Sequence, residues 1–185
     1  DSDHKLKVYA TELLGKSTHA DARVLLEQQI RSSVEDVRHA AYVGLREQYG
    51  RDSLYPLQKA LDTQEKNIAV PAVKALGGLA HKDERALEML IATMNRQPQA
   101  ARYEAFSQLE KHYGSRSPES SLLALQSAHN DIVASAIIRF YQLKHLEDDR
   151  VQAALRRQLE SSNEKARRYA FWVNLMRSPK LVDIL

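Results

Sequence analysis

The chain has no cysteine among its 185 residues. That excludes disulfides, thiolate metal sites and a cysteine nucleophile. Glycine and proline are scarce, at six and five. Strands and hairpins need more turn residues and more β-branched runs than this chain offers. No apolar run approaches the ~18 residues that a membrane-spanning helix requires. The opening stretch, residues 1–10, lacks a signal-peptide core, and a cytoplasmic location is the expectation. That stretch reads as the middle of a helical element, so a fragment of a longer protein is expected. Tryptophan occurs once, at Trp172.

What the chain does have is 43% hydrophobic and 28% charged residues. Alanine, leucine, glutamate, glutamine, lysine and arginine dominate, and all are good helix formers. An all-α fold follows. The net charge is only +3, but it is unevenly placed. Residues 150–185 hold eight basic and three acidic side chains, which makes that segment +5 and the remainder −2.

An alanine recurs at Ala10, Ala41, Ala72, Ala105, Ala136 and Ala170, with spacings of 31, 31, 33, 31 and 34. Four residues before these stand Leu6, Val37, Ile68, Ala101, Ile132 and Ala166. Four residues after stand Leu14, Leu45, Leu76, Leu109, Phe140 and Asn174. Positions i−4, i and i+4 share one face of an α-helix, and a small central residue lets a second helix approach closely. We term this element helix B. Eleven residues before the alanine come Ile30, Leu61, Met94, Leu125 and Leu159. Leu26, Leu57, Leu90, Ser121 and Leu155 lie four residues earlier still. They form the stripe of a second helix, A. Polar loops at 32–36, 63–67, 127–131 and 161–165 separate A from B. Gly15, Gly50 and Gly114 are expected to close B helices in a left-handed C′ position. Pro56 suits the first turn of an A helix, and Ser117-Pro118 suits the start of another. Pro71 sits at the limit of what a first turn tolerates, so that helix is expected to start late or kink.

One such hairpin cannot bury its apolar faces alone, whereas stacked hairpins can. Five A–B pairs behind a lone leading B helix (residues 5–15) predict a single array over 1–185. Its form is an α-solenoid of antiparallel helix pairs. The tail at 178–185 looks like the start of another A helix.

The array resembles HEAT repeats, of the short units common in bacterial proteins. The residues that carry the likeness are Asp36-Val37-Arg38, Ala40-Ala41 and Leu45. It is strongest over 21–114 and looser at 165–178. The period is shorter than the ~40–47 residues of long HEAT and armadillo units. The Trp…Leu-Gly…Tyr signature of tetratricopeptide repeats, whose period is ~34, is absent. The resemblance implies a right-handed solenoid with the B helices lining a concave surface. It also implies that the residue three before the alanine pairs with an acidic loop residue. That column reads Lys7, Arg38, Ala69, Arg102, Val133 and Arg167. Lys7, Arg38, Arg102 and Arg167 are therefore either an internal structural ladder or a stripe that contacts phosphates.

No catalytic constellation is visible. The seven histidines never stand at i, i+4, so no helical metal pair exists. His19, His81 and His145 share a column nine after the alanine, a helix-end position where a histidine favours the dipole. There is no phosphate-binding glycine loop and no nucleophile elbow. Gly77-Gly78 reads as a helix end. Asp83-Glu84 and Asp148-Asp149 sit at expected helix N-termini. No metal and no cofactor are expected.

The arc of each B helix opposite the alanine holds positions −2, +2 and +5, at ~100° per residue. Those columns include His39, Tyr103, Ala134 and Arg168, then Val43, Ile138 and Trp172, then Arg46 and Tyr141. Exposed aromatics beside arginine are common at interface hot spots. His39, Arg46, Tyr103, Ile138, Tyr141, Arg168 and Trp172 are the candidate partner-binding residues. Two readings of the last repeats stay open, binding and packing beneath further repeats.

The leading expectation is a non-catalytic, monomeric scaffold that binds a protein segment, or a neighbouring domain of the same polypeptide, on its helix-B face. The alternative is nucleic-acid binding through a basic groove, as in HEAT-like DNA glycosylases. The modest net charge and the interleaved Glu12, Glu104 and Glu110 weigh against it, because a duplex footprint should be one-signed. A HEAT-like lyase acting on bilins is a third reading, which no residue singled out here supports.

Overall fold

A computed structural model describes residues 2–177. The expected further A helix at 178–185 lies outside them. The described residues form eleven α-helices and no strand. They divide into two compact units, Asp1–Glu104 and Ala105–Leu185, and the division falls within one helix.

The first unit holds α1 (Ser2–Lys16), α2 (Asp21–Gln29), α3 (Glu35–Tyr49), α4 (Leu54–Asp62), α5 (Lys66–Leu79), α6 (Glu84–Thr93) and the start of α7 (Gln99–Tyr113). Here α2, α4 and α6 are A helices, and α1, α3, α5 and α7 are B helices. The stripes predict the core. Ala41 and Ala72 are fully buried, with Val37, Leu45, Ile68 and Leu76 around them. Leu26, Leu57 and Leu90 on the A helices are buried too, and each such leucine is worth about 1.5–3 kcal/mol. α2 packs on α3 and α4 on α5, while α3 also touches the B helices α1 and α5.

Helix α1 departs from the pattern. Leu6 is 65% exposed, Ala10 is exposed, and the buried positions are Thr11 and Gly15, one residue further along. Each later B helix in this unit follows an A helix. α1 has no A helix before it among the described residues, so its expected stripe meets solvent. Its main contact is with α3, beside a smaller one with α2, and Gly15 lies at the α3 crossing rather than closing the helix. A Cβ on Gly15 would stand 2.8 Å from Gly44 Cα, so only paired glycines allow this crossing. The end of α1 is closed by Gln48, whose Nε2 donates to the carbonyls of Gly15 (3.0 Å) and Ser17 (2.5 Å). Gly50 and Gly114 do follow α3 and α7 with positive φ, at 88° and 92°. α5 starts at Lys66 and runs through Pro71. It does not start late, and Pro71 leaves the Asn67 carbonyl without its i+4 donor.

The second unit holds the rest of α7, then α8 (Glu119–Ala124), α9 (Asn130–Gln142), a 3₁₀ turn at His145–Glu147, α10 (Asp149–Leu159) and α11 (Glu164–Arg177). α8 and α10 are A helices; α9 and α11 are B helices. Ala105, Ala136 and Ala170 are fully buried, as are Ile132, Phe140, Leu155 and Ala166. α8 packs on α9, α10 on α11, and α9 on α11. Leu159 breaks the A stripe at 38% exposed. Asn174, the polar member of the B stripe, turns its Nδ2 back to the Ala170 carbonyl at 2.8 Å. Ser117 accepts the Glu119 N–H at 3.2 Å and so starts α8. No helix among the described residues is long and apolar enough to cross a membrane.

Candidate functional site

The A–B loops set the B helices, and one residue type organises them. Nine residues before the buried alanine stand Ser32, Thr63, Ser127 and Ser161. Each hydroxyl accepts the N–H two residues on, from Val34, Glu65, His129 and Asn163, at 3.1–3.2 Å. That turn halts helix A and extends the chain before helix B. The signal is present in the sequence, since all four loops open on serine or threonine, but a single hydroxyl per loop is weak beside the helical stripes.

The basic column acts on the same loops. Arg38 Nη1 donates to the Ser32 carbonyl at 2.8 Å, Arg102 Nη1 to the Arg96 carbonyl at 3.1 Å, and Arg167 Nη1 to the Ser161 carbonyl at 2.6 Å. Each guanidinium thus reaches back six residues to the turn that precedes its own helix. Arg38 also reaches the next loop, with Nη2 at 3.2 Å from Glu65 and Nε at 3.4 Å from Asn67 Oδ1. Asn67 returns a bond to the Glu35 carbonyl at 3.1 Å. Arg38 and Arg102 are buried. Lys7 differs: it is exposed and pairs with Asp3, one turn earlier, at 2.8 Å.

The histidines of the helix-end column do not share one role. His19 lies between α1 and α2, where its Nδ1 accepts the Asp21 N–H at 3.3 Å and so serves the start of α2. His145 opens the 3₁₀ turn. Asp83 and Asp148 cap α6 and α10, accepting the N–H of Arg85 and Arg150. The Arg85 and Arg150 side chains hold the Asp83 and Asp148 carboxyls below the usual carboxylate range. Among the described residues, no group of three or more His, Asp or Glu is placed to hold a metal ion.

In the first unit the candidate binding residues are scattered. His39 is exposed and lines a shallow hollow between α1 and α3, with His4, Asp36, Val43 and Glu47. Neither Arg46 nor Tyr103 lines it. Arg46 is half-buried, donating Nη2 to the Arg51 carbonyl at 3.0 Å. It leans on Tyr42, whose hydroxyl is pushed above its ordinary pKa by burial. Tyr103 is 40% exposed on α7.

In the second unit the candidates converge. α9 and α11 border an open groove of about 940 Å³. Ile138 comes from α9, and Arg168 and Trp172 come from α11. Tyr141 is not in the lining, but its ring stands 5.1 Å from that of Trp172, tilted by 60°. Trp172 is 41% exposed. Tyr169 and Phe171 join the lining, along with Asn130, Asn163, Glu164 and Lys165. Phe171, at 61% exposed, lies one residue past the buried alanine. The three columns chosen for the B-helix face did not include it. Asn163 Nδ2 donates to Asn130 Oδ1 across the groove's loop end, joining the α9 and α11 start points.

Neither a family model nor a curated protein matches this chain.

Proposed function

We propose that the chain is a HEAT-like α-solenoid and serves as a non-catalytic interaction scaffold. It holds a protein segment, or a neighbouring domain, on the exposed face of its B helices. The observation that carries this reading is the α9–α11 groove. Trp172, Tyr141 and Arg168 are residue types that dominate binding energy at protein interfaces; Trp172 and Arg168 line the groove with Ile138, and the Tyr141 ring stands against Trp172. Helix pairs that each bury one face against the next offer such surfaces at low cost to their cores.

The nucleic-acid alternative draws less support. A phosphate stripe needs free cations, yet Arg38, Arg102 and Arg167 donate to loop carbonyls. Spent in that way, they hold turns together.

Two measurements test the proposal. A compact globule of this length has a radius of gyration of about 16 Å, and a solenoid gives a larger value in solution scattering. An array of defined linear peptides, probed with the wild type and with Trp172→Ala, reads the binding surface. The scaffold reading expects a retained subset that the variant loses while keeping its helix content. Equal retention by both proteins contradicts the assignment of the groove.

A further inference from the structure

The chemistry of the α9–α11 groove narrows the kind of partner. Lys165 and Arg168 stand in its lining, and neither forms an ion pair or hydrogen bond with another described residue. Three other arginines of this unit are occupied. Arg139 pairs with Glu110 at 2.5 Å, Arg150 with Glu119 at 2.6 Å and Asp148 at 2.9 Å, and Arg167 with the Ser161 carbonyl at 2.6 Å. Among the described residues, Glu164 is the one carboxylate of the lining. As the first residue of α11 it is held by the positive end of the helix dipole. Among the described residues, the groove therefore presents two uncommitted cations beside the apolar surface of Ile138, Phe171 and Trp172.

We propose that this groove binds a short acidic protein segment. An aromatic or aliphatic side chain of the segment lies against Trp172 and Ile138, and a neighbouring carboxylate is gripped by Arg168. This rests on the reading of the B-helix face as a protein-binding surface. A guanidinium offers a carboxylate two parallel hydrogen bonds, and the flanking rings lower the local dielectric, so the pair is stronger than one in open water. The size fits as well. Pockets of ~300–1,000 Å³ take drug-sized ligands, the scale of an anchoring side chain or two, whereas a duplex needs a one-signed stripe along many phosphates.

Trp172 is the only tryptophan, so the emission of the full chain reports on this groove alone. Three probes are titrated. The first is a blocked peptide alternating glutamate with leucine and phenylalanine, the second its lysine counterpart, and the third a single-stranded oligothymidylate. The acidic peptide should shift the emission and saturate, and the lysine peptide should not. Arg168→Glu should weaken the acidic peptide by roughly tenfold or more. Arg157→Glu, on the exposed face of α10 outside the groove, makes the same change in net charge and should leave binding unaltered. Arg168→Gln, with helix content checked by circular dichroism, guards against misfolding. Equal binding of the two peptides would overturn the acidic partner and leave the protein-binding reading standing. So would equal loss in Arg157→Glu. Saturation by oligothymidylate with no response to either peptide would overturn both.

Discussion

Removing Arg38 separates the ladder from the phosphate stripe. Arg38→Ala deletes three contacts, of unequal weight. The bond from Nη1 to the Ser32 carbonyl at 2.8 Å is short, buried and charge-assisted, and such bonds contribute about 1.5–3 kcal/mol. The Glu65 carboxylate at 3.2 Å is 48% exposed, so that pair adds at most about 1 kcal/mol after solvent screening. The Asn67 contact, at 3.4 Å, is too long to add much. The sum is about 1.5–4 kcal/mol, dominated by the carbonyl. For a protein of this length, each kcal/mol moves Tm by roughly 2–4 °C, so a fall of about 3–16 °C is expected in a far-ultraviolet melt. Because the carbonyl bond dominates, the fall should persist when salt is raised. Lys7→Ala, in the same column but exposed, should move Tm by no more than about 2 °C. An Arg38→Ala protein that melts with the wild type but loses a nucleic-acid ligand would refute the ladder.

Three further outcomes follow from the packing and the caps. Gly15→Ala gains up to about 1 kcal/mol in helix propensity but drives a methyl to 2.8 Å from the Gly44 backbone. Overpacking at about 1–3 kcal/mol should win, so urea denaturation should show net loss. Gly78→Ala, where an added Cβ meets nothing within 4 Å, should be neutral or stabilising, and the reverse order would refute the α1–α3 crossing. Asp148 has its carboxyl pKa lowered, first by the Arg150 side chain. Its contribution is therefore present above the unfolded value of about 3.9 and is lost as pH falls below it. Asp148→Ala should then lower Tm near neutral pH and converge with the wild type in strong acid; a difference that persists at low pH would point to a different cause.

The helices were readable because each B helix from α3 onward buries the same positions. Alanine at the centre of the B stripe leaves little choice of face, and Ala41, Ala72, Ala105, Ala136 and Ala170 all obey it. Ala10 does not, because a stripe states which face is apolar and not whether a neighbour is there to cover it. Gly15 illustrates the same limit. A glycine near a helix end suggests a C′ residue, and only the position of Gly44 reveals a close crossing. The Ser/Thr turns at Ser32, Thr63, Ser127 and Ser161 recur with the alanine column, but one hydroxyl per loop makes no helical stripe. Within the groove, Ile138, Arg168 and Trp172 were reachable from helical phase. Tyr169 and Phe171 were not, since they fall between the chosen columns, and their inclusion depends on how α11 rests beside α9. The scatter of His39, Arg46 and Tyr103 has a similar origin: phase alone does not reveal that Arg46 turns inward to the Arg51 carbonyl.

The most direct test of the account is collisional quenching of Trp172 by iodide and by caesium in the unliganded chain. An exposed tryptophan beside uncommitted Lys165 and Arg168 attracts anions and repels cations. Iodide should quench more strongly than caesium, and Arg168→Glu should narrow or reverse the difference. Weak quenching by both ions would mean that Trp172 is covered, and equal quenching would mean that the groove is not cationic; either result would contradict the site proposed for this protein.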